Sequence, residues 1–296
     1  MNETSTLGRI RSGLSKLLPQ RFRTDIPIVP VVRLSGVIGV SSPLKPGLTL
    51  ASSAKVLERA FTTRNARAVA LLINSPGGSA VQSHLIYQRV RALAEENEIP
   101  VIAFVEDVAA SGGYMIACAA DEIICDAASI VGSIGVVGGA FGFDKLIEKL
   151  GIERRLYTSG DRKVMLDPFM PEKPEDVERL KGIQKEIHDG FIALVQARRG
   201  AKLDGREKAL FSGEFWTGNR GRELGLVDAI GELRGALRAR YGDKVKTPLI
   251  AERGFLARRT PGISGGVVEQ LLDRPGLVEE TISALEARAL WARYGL

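Results

Sequence analysis

The spacing of hydrophobic positions changes repeatedly along the chain, and each change marks an element. Residues 26–40 (IPIVPVVRLSGVIGV) are β-branched and bounded by turn formers, which predicts a strand. Residues 49–65 place Leu50, Ala54, Leu57, Ala60 and Phe61 on one helical face. The run 67–74 (RAVALLIN) reads as a buried strand, broken by Ser75-Pro76-Gly77-Gly78, and 79–97 as a helix. A strand follows over 99–108, then Ala109-Ala110-Ser111-Gly112-Gly113 and a short apolar helix over 114–120. Further strands are predicted at 122–125, 130–137 and 152–158, with a helix at 141–150 between the last two. Residues 175–199 form a long amphipathic helix with Val177, Leu180, Ile183, Ile187, Phe191, Leu194 and Val195 inward. Helical segments lie within 207–226, then 227–231 and another helix, with a short strand over 245–250.

Strands alternating with helices in units of about 30 residues predict βαβ crossovers and a mostly parallel sheet, the α/β class. No internal repeat interrupts the pattern. Residues 251–266 read as a linker, and the rest of the chain to residue 296 as one or two amphipathic helices. At the other end, Leu7, Ile10, Leu14, Leu17 and Leu18 recur at helical spacing beside Arg9, Arg11, Lys16, Arg21 and Arg23. Such a basic arm could pack on the body or a neighbouring subunit, or lie on an anionic membrane surface.

Composition narrows the function classes. Forty-one basic against 35 acidic residues leave a net charge of +6, but the basic residues are scattered and aromatics make up only 6%, which argues against nucleic acid as partner. The two cysteines, Cys118 and Cys125, sit in an apolar stretch with no metal or redox spacing, so they read as reduced core thiols. Residues 1–25 hold no secretory apolar core, and the longest charge-free run, 127–143, contains five glycines and suits loops better than a membrane span. The chain is therefore expected to be cytoplasmic. Glycine is in excess: 33 residues against a typical share of about 7%. Much of that excess falls between Gly77 and Gly160.

Two glycine-rich breaks follow buried strands, at the strand ends where parallel sheets build their sites. In the second, Ser111 is flanked by tiny residues at a helix start. That suits an attacking serine, whose neighbours leave room for a carbonyl and whose free N–H groups stabilise negative charge. It equally suits an N-cap. A nucleophilic serine needs a base. His84 and His188 both lie in helices and read as solvated or capping residues, so a Ser-His-Asp triad is poorly supported. Lys163, followed by apolar Val164, Met165 and Leu166, is the remaining candidate base, or else an ordinary surface lysine.

Several ordered motifs resemble the signal peptide peptidase A / protease IV family of serine peptidases. They are Asn74-Ser75-Pro76-Gly77-Gly78, Ala110-Ser111-Gly112-Gly113-Tyr114, Val131-Gly132-Ser133-Ile134-Gly135-Val136, Ser159-Gly160 with Lys163 and Pro168-Phe169, and 215–228 (FWTGNRGRELGLVD). The resemblance covers about residues 28–235. It implies a ClpP/crotonase-like fold of repeated ββα/βαβ units with terminal helical arms, and a Ser/Lys dyad without metal or cofactor. Ser111 matches the nucleophile, Lys163 the general base and Ser133 the serine that helps hold the lysine amine. The N–H groups of Gly78 and Gly112 match the oxyanion hole. The implied division is a basic arm at 1–25, a peptidase domain at 26–250 and a linker with C-terminal helices at 251–296. Peptides or proteins, remnant signal peptides among them, are the implied substrates. Many members carry a membrane anchor or a tandem second copy of the fold. Neither is evident here, so a homo-oligomer with Ser111 and Lys163 paired across subunits is expected, with peripheral membrane contact through residues 7–23 as an open alternative. A crotonase-type acyl-CoA enzyme and a catalytically silent scaffold are the competing readings.

Overall fold

The computed structural model describes residues 26–39, 47–160, 162–203, 205, 207–251 and 277–296, without side chains for Glu207, for 277–283 or for Glu286. The predicted basic arm and nearly all of the linker lie outside these residues.

Strands β1 (Val31–Ser35), β2 (Val69–Ser75) and β3 (Val101–Ala110) run parallel and adjacent. Their sequences are apolar almost throughout because both faces of the sheet are covered. Val32, Leu71, Ile73, Ala103 and Val105 join the cluster under helices α1 (Leu50–Phe61) and α2 (Ala80–Asn97), while Val31, Ala70, Ile102 and Phe104 join a second cluster on the other face. Both helices start where the sequence offers a cap. Thr49 Oγ1 accepts the Ser52 N–H at 3.2 Å and Ser52 Oγ accepts the Thr49 N–H at 3.0 Å, a reciprocal pair. The Ser79 hydroxyl accepts the Gln82 N–H at 3.3 Å.

β3 changes partner half-way along its outer edge. Residues 102–105 pair with β4 (Glu122–Cys125), and 108–110 pair with β5 (Ile130–Gly132). On its other edge the ladder slips: Ile73 faces Val105 but Ser75 faces Ala109, so Asn74 alone opposes Glu106, Asp107 and Val108. The Asn74 side chain fills the gap, donating from Nδ2 to Asp107 Oδ2 at 2.6 Å and accepting the Val108 N–H at 3.3 Å. This bulge carries the end of β3, and hence helix α3 (Gly112–Ala117), past the end of β2.

Beyond β5 the chain departs from the predicted pattern. The strand expected over 130–137 stops at Gly132, because Gly132 (φ +101°) and Ser133 (φ +53°) turn the backbone into left-handed conformations. The predicted helix at 141–150 shortens to α4 (Asp144–Lys149), which buries none of its side chains. The predicted strand at 152–158 does not form; these residues are largely solvent-exposed and join no ladder. Helix α5 (Pro174–Arg199) forms as expected, but only Phe191, Val195 and Arg199 are buried, whereas Ile183 and Ile187 are exposed. After α6 (Glu207–Leu210), a strand that periodicity does not reveal, β6 (Phe215–Thr217), pairs antiparallel with β5. Then come α7 (Gly218–Glu223), β7 (Ala229–Ile230) parallel to β4, and α8 (Leu233–Tyr241), which packs Leu237 on the second face of the sheet. Residues 245–250 contribute only single bridges, Lys246 to Ile28 and Leu249 to Val31. Helix α9 (Leu277–Ala292) closes the described chain. The seven-stranded sheet, parallel except at the β5–β6 pair, is the α/β architecture expected.

Arg199 is buried at the end of α5 and pairs with Asp228 at 2.6 Å. Asp228 also receives Lys202 at 2.6 Å and the Ile123 N–H at 2.8 Å. Burial alone would raise the Asp228 carboxyl, but these three donors outweigh it and hold its pKa below the usual carboxylate range. The aspartate that ends the 215–228 motif is thus a structural clamp joining α5 to β4.

Candidate active site

Ser111 stands at the turn between β3 and α3 with φ 52° and ψ −121°, a region that residues other than glycine rarely enter. Three contacts impose it. The Ser111 N–H donates to the Gly132 carbonyl of β5 at 2.8 Å, and its carbonyl accepts the Met115 N–H at 3.0 Å. From β2, Gly77 (φ +100°) presses so close that a methyl group there would lie 2.8 Å from Ser111 Cβ and 2.9 Å from the Ala110 oxygen. Ser111 occupies the N-cap position, yet its hydroxyl accepts no helix N–H. The capping role that the sequence left open is not taken up, and the half-buried hydroxyl is free for other work.

Gly78 and Gly112 flank it. The parallel bridge between Ile38 and Gly78 uses the Gly77 carbonyl and the Ser79 N–H, both at 2.8 Å. Gly78's own N–H therefore lies on the other edge of the segment. Among the described residues, neither the Gly78 nor the Gly112 N–H reaches a backbone or side-chain acceptor. A side chain is excluded at Gly78 (φ +140°), where a Cβ would sit 2.1 Å from the Ile38 oxygen, and one at Gly112 would force the Ser83 hydroxyl, 2.2 Å away, to move. Ser111, Gly78 and Gly112 line one cleft of about 390 Å³, whose walls include Met115, Val136, Ile187 and Phe191.

Ser133 is buried and follows directly on Gly132, the residue that holds the Ser111 N–H. Its own N–H donates to the Glu214 carbonyl at 2.6 Å, and its hydroxyl accepts from Tyr294 at 3.3 Å. Lys163 is not brought to Ser111 within the chain. It is exposed on the turn after Gly160, its N–H bonded to the Gly160 carbonyl at 3.2 Å, and it does not line the cleft. The segment that carries it, 137–170, leaves apolar side chains in solvent: Phe141 is 81% exposed, Val137 73% and Tyr157 93%. Within it Phe143 stacks on Phe169 at 5.6 Å and Arg154 lies 5.5 Å over Phe169 while pairing with Asp167, so the segment is ordered on itself. The Phe169 N–H and the Arg154 guanidinium hold the Asp167 carboxyl below its ordinary pKa.

Neither histidine lines the Ser111 cleft. His84 is exposed and stacks on Tyr87, and half-buried His188 sits 3.1 Å from the Ile134 carbonyl, bracing the loop after Ser133. Cys118 and Cys125 are buried, and desolvation pushes their thiols up to about 12 and about 11, so neither forms a thiolate near neutral pH. Among the described residues no cluster of His, Cys, Asp or Glu could hold a metal ion. No helix there is long and apolar enough to cross a membrane. Sequence reasoning missed Tyr294, Leu290 and Arg293. The last two line the Ser111 cleft from the C-terminal segment, and no motif in their neighbourhood signals it.

Residues 94–245 match the model of peptidase family S49, which takes in the Ser111 turn, Ser133, Lys163 and the Asp228 clamp. The chain belongs to that family. Residues 11–147 match the model of a ClpP-like SDH-type serine proteinase. Among curated relatives of this S49 member, a putative protease of Synechocystis is 32% identical over 232 residues, 76% of this chain and 82% of that protein. The chloroplastic serine protease SPPA of Arabidopsis thaliana is 33% identical over 267 residues, 85% of this chain and 39% of that protein. A protein of Brucella abortus named Na(+)/H(+) antiporter NhaA is 55% identical over 287 residues, 96% of this chain. The chain spans 39% of the length of both the Brucella and the Arabidopsis proteins.

Proposed function

We propose that this S49 chain is a serine peptidase that cleaves peptide bonds through an acyl-enzyme, with Ser111 as nucleophile and Lys163 as general base. The observation that carries the reading is Ser111 itself: a strained serine whose hydroxyl does not cap its helix, in a cleft with two glycine N–H groups that have no acceptor. Ser111 Oγ attacks the substrate carbonyl carbon and gives its proton to the neutral Lys163 amine. The carbonyl oxygen gains negative charge and takes hydrogen bonds from the Gly78 and Gly112 N–H groups. The C–N bond then breaks, the leaving amine takes the proton from Lys163, and an acyl-Ser111 ester remains. Lys163 next deprotonates a water that attacks the ester, releasing the acid and restoring Ser111.

Ser111 and Lys163 pair between two copies of the chain in this reading. Lys163 lies away from its own Ser111 cleft, on a segment whose exposed Phe141, Val137 and Tyr157 have the character of an interface. Peptides and proteins are the substrates, and the peptidase domain is taken as 26–250. A cytoplasmic site of action is proposed with this reading, and peripheral membrane contact through residues 7–23 stays an open alternative to their packing on the body or a neighbouring subunit. The antiporter name of the Brucella relatives is not carried over. The 287 residues shared with them take in nearly the whole chain, and with it most of what both peptidase models match.

A fluorophosphonate probe tests the reading. Wild-type protein should be labelled covalently and Ser111→Ala should not; an unlabelled wild type, or equal labelling of both, overturns it.

A further inference from the structure

The hydroxyl of Tyr294 donates to Ser133 Oγ at 3.3 Å, and both residues are buried. Tyr294 comes from the turn that follows α9, far along the chain from the motifs that mark the site. Its ring meets Phe215 of β6 edge-on, with centroids 5.0 Å apart, and packs with Val108 and Ala110 of β3, the stretch leading into Ser111. Trp291 and Ile130 extend the same cluster. Leu290 and Arg293, on the same segment, line the Ser111 cleft. The tyrosine therefore stands behind the site, packed across the paired strands that deliver Ser111 and Ser133.

We propose that Tyr294 is a positioning residue for the peptidase reaction, acting through Ser133. This rests on the reading above, in which Ser133 holds the amine of the general base. A serine hydroxyl has two lone pairs and one hydrogen. With one lone pair taken by Tyr294, the hydroxyl rotor is pinned, and the other lone pair has a fixed direction in which to accept an N–H from a lysine amine. The amine's own lone pair is then aimed at the proton it must remove from Ser111. Without the tyrosine hydroxyl, Ser133 turns freely and the base loses its orientation, while the substrate cleft keeps its walls. The expected signature is a fall in kcat with KM unchanged.

Tyr294→Phe keeps the ring against Phe215 and removes only the hydroxyl. Losing one neutral hydrogen bond should lower kcat about 3- to 10-fold with KM unchanged, and should lower the melting temperature by only about 2–4 °C. Because Tyr294 acts through Ser133, Tyr294→Phe combined with Ser133→Ala should be no slower than Ser133→Ala alone. Tyr294→Leu, which also loses the ring contact, should lower the melting temperature further and so report the packing role separately. Wild-type kcat in Tyr294→Phe overturns the proposal, as do losses that multiply in the double variant. If Ser133→Ala itself has wild-type activity, the role given to Ser133 fails and this inference with it, while the labelling of Ser111 is untouched. Wild-type protein without peptidase activity overturns the underlying reading instead.

Discussion

Gly77 and Ser111 touch so closely that the serine's backbone can exist only beside a residue with no side chain. A methyl group on Gly77 would fall 2.8 Å from Ser111 Cβ, at a φ of +100° that side chains rarely adopt. Gly77→Ala should therefore cost about 2 kcal/mol or more, since strain and a clash against backbone act together. It should also displace Ser111. Urea unfolding would give the loss of stability, and fluorophosphonate labelling should slow even at temperatures where the variant is folded. Labelling at the wild-type rate would mean that Gly77 does not set the position of the serine.

The strain at Ser111 predicts the opposite sign for a second variant. Its φ of 52° and ψ of −121° are readily open to glycine. Ser111→Gly should be more stable than wild type by about 1 kcal/mol, the lower part of the range for one strained residue. Ser111→Ala keeps a Cβ and should gain little. Both should be unlabelled by the probe. A glycine variant that melts below wild type would show that the turn is not strained.

Pairing between copies makes a prediction that pairing within a chain does not. Ser111→Ala and Lys163→Ala should each be inactive alone. Mixed after mild dissociation, they should regain peptidase activity at about a quarter of the sites, those where an intact Ser111 meets a neighbour's intact Lys163. A mixture as inactive as its parents would restrict the dyad to one chain.

Asp228 should make stability depend on acid. Its pKa is lowered in the folded state, so its contribution is fully present above the unfolded value, about 3.9, and is lost as pH falls through the folded value. The urea midpoint should drop between about pH 5 and pH 2. In Asp228→Asn that part of the drop should vanish. At neutral pH the variant should be less stable by about 2 kcal/mol, because buried Arg199 loses its carboxylate; the exposed Lys202 arm keeps the cost below that of a wholly buried pair. A variant with the wild-type acid profile would assign the effect to other carboxylates.

Local pattern made the central sheet legible. The runs at 67–74 and 99–108 are apolar on both faces and can only be covered strands, and Thr49 and Ser79 announce their helices by capping them. Ser111 and the glycine-rich break at 75–78 stood out because a strand-end turn needs small residues where the backbone is left-handed or closely approached, whereas Ser133, the assignment of Lys163 as base and the roles of Gly78 and Gly112 came from the family resemblance alone. The misses share a cause. The β6 strand has three residues, too few for a period, and exists because the end of β5 needs a partner. Residues 152–158 have the composition of a strand but no neighbour to pair with. Ile183 and Ile187 lie on the apolar stripe of α5 yet remain exposed, since periodicity names a face but not what covers it. Tyr294 reaches Ser133 through tertiary packing that no local signal encodes.

The exchange of partners along β3 also bears on how the protein comes to be folded. Ser111 is held by Gly77 of β2 on one side and by Gly132 of β5 on the other, and both are distant in sequence and joined through parallel crossovers. Parallel pairings of this kind form late, since the loops between them must close before any contact rewards them. Until both neighbours have docked, nothing holds the serine in its unfavourable backbone state, and it relaxes to an ordinary one. In the proposed reading a half-folded chain thus carries no armed nucleophile, and reactivity appears only once the whole sheet has assembled.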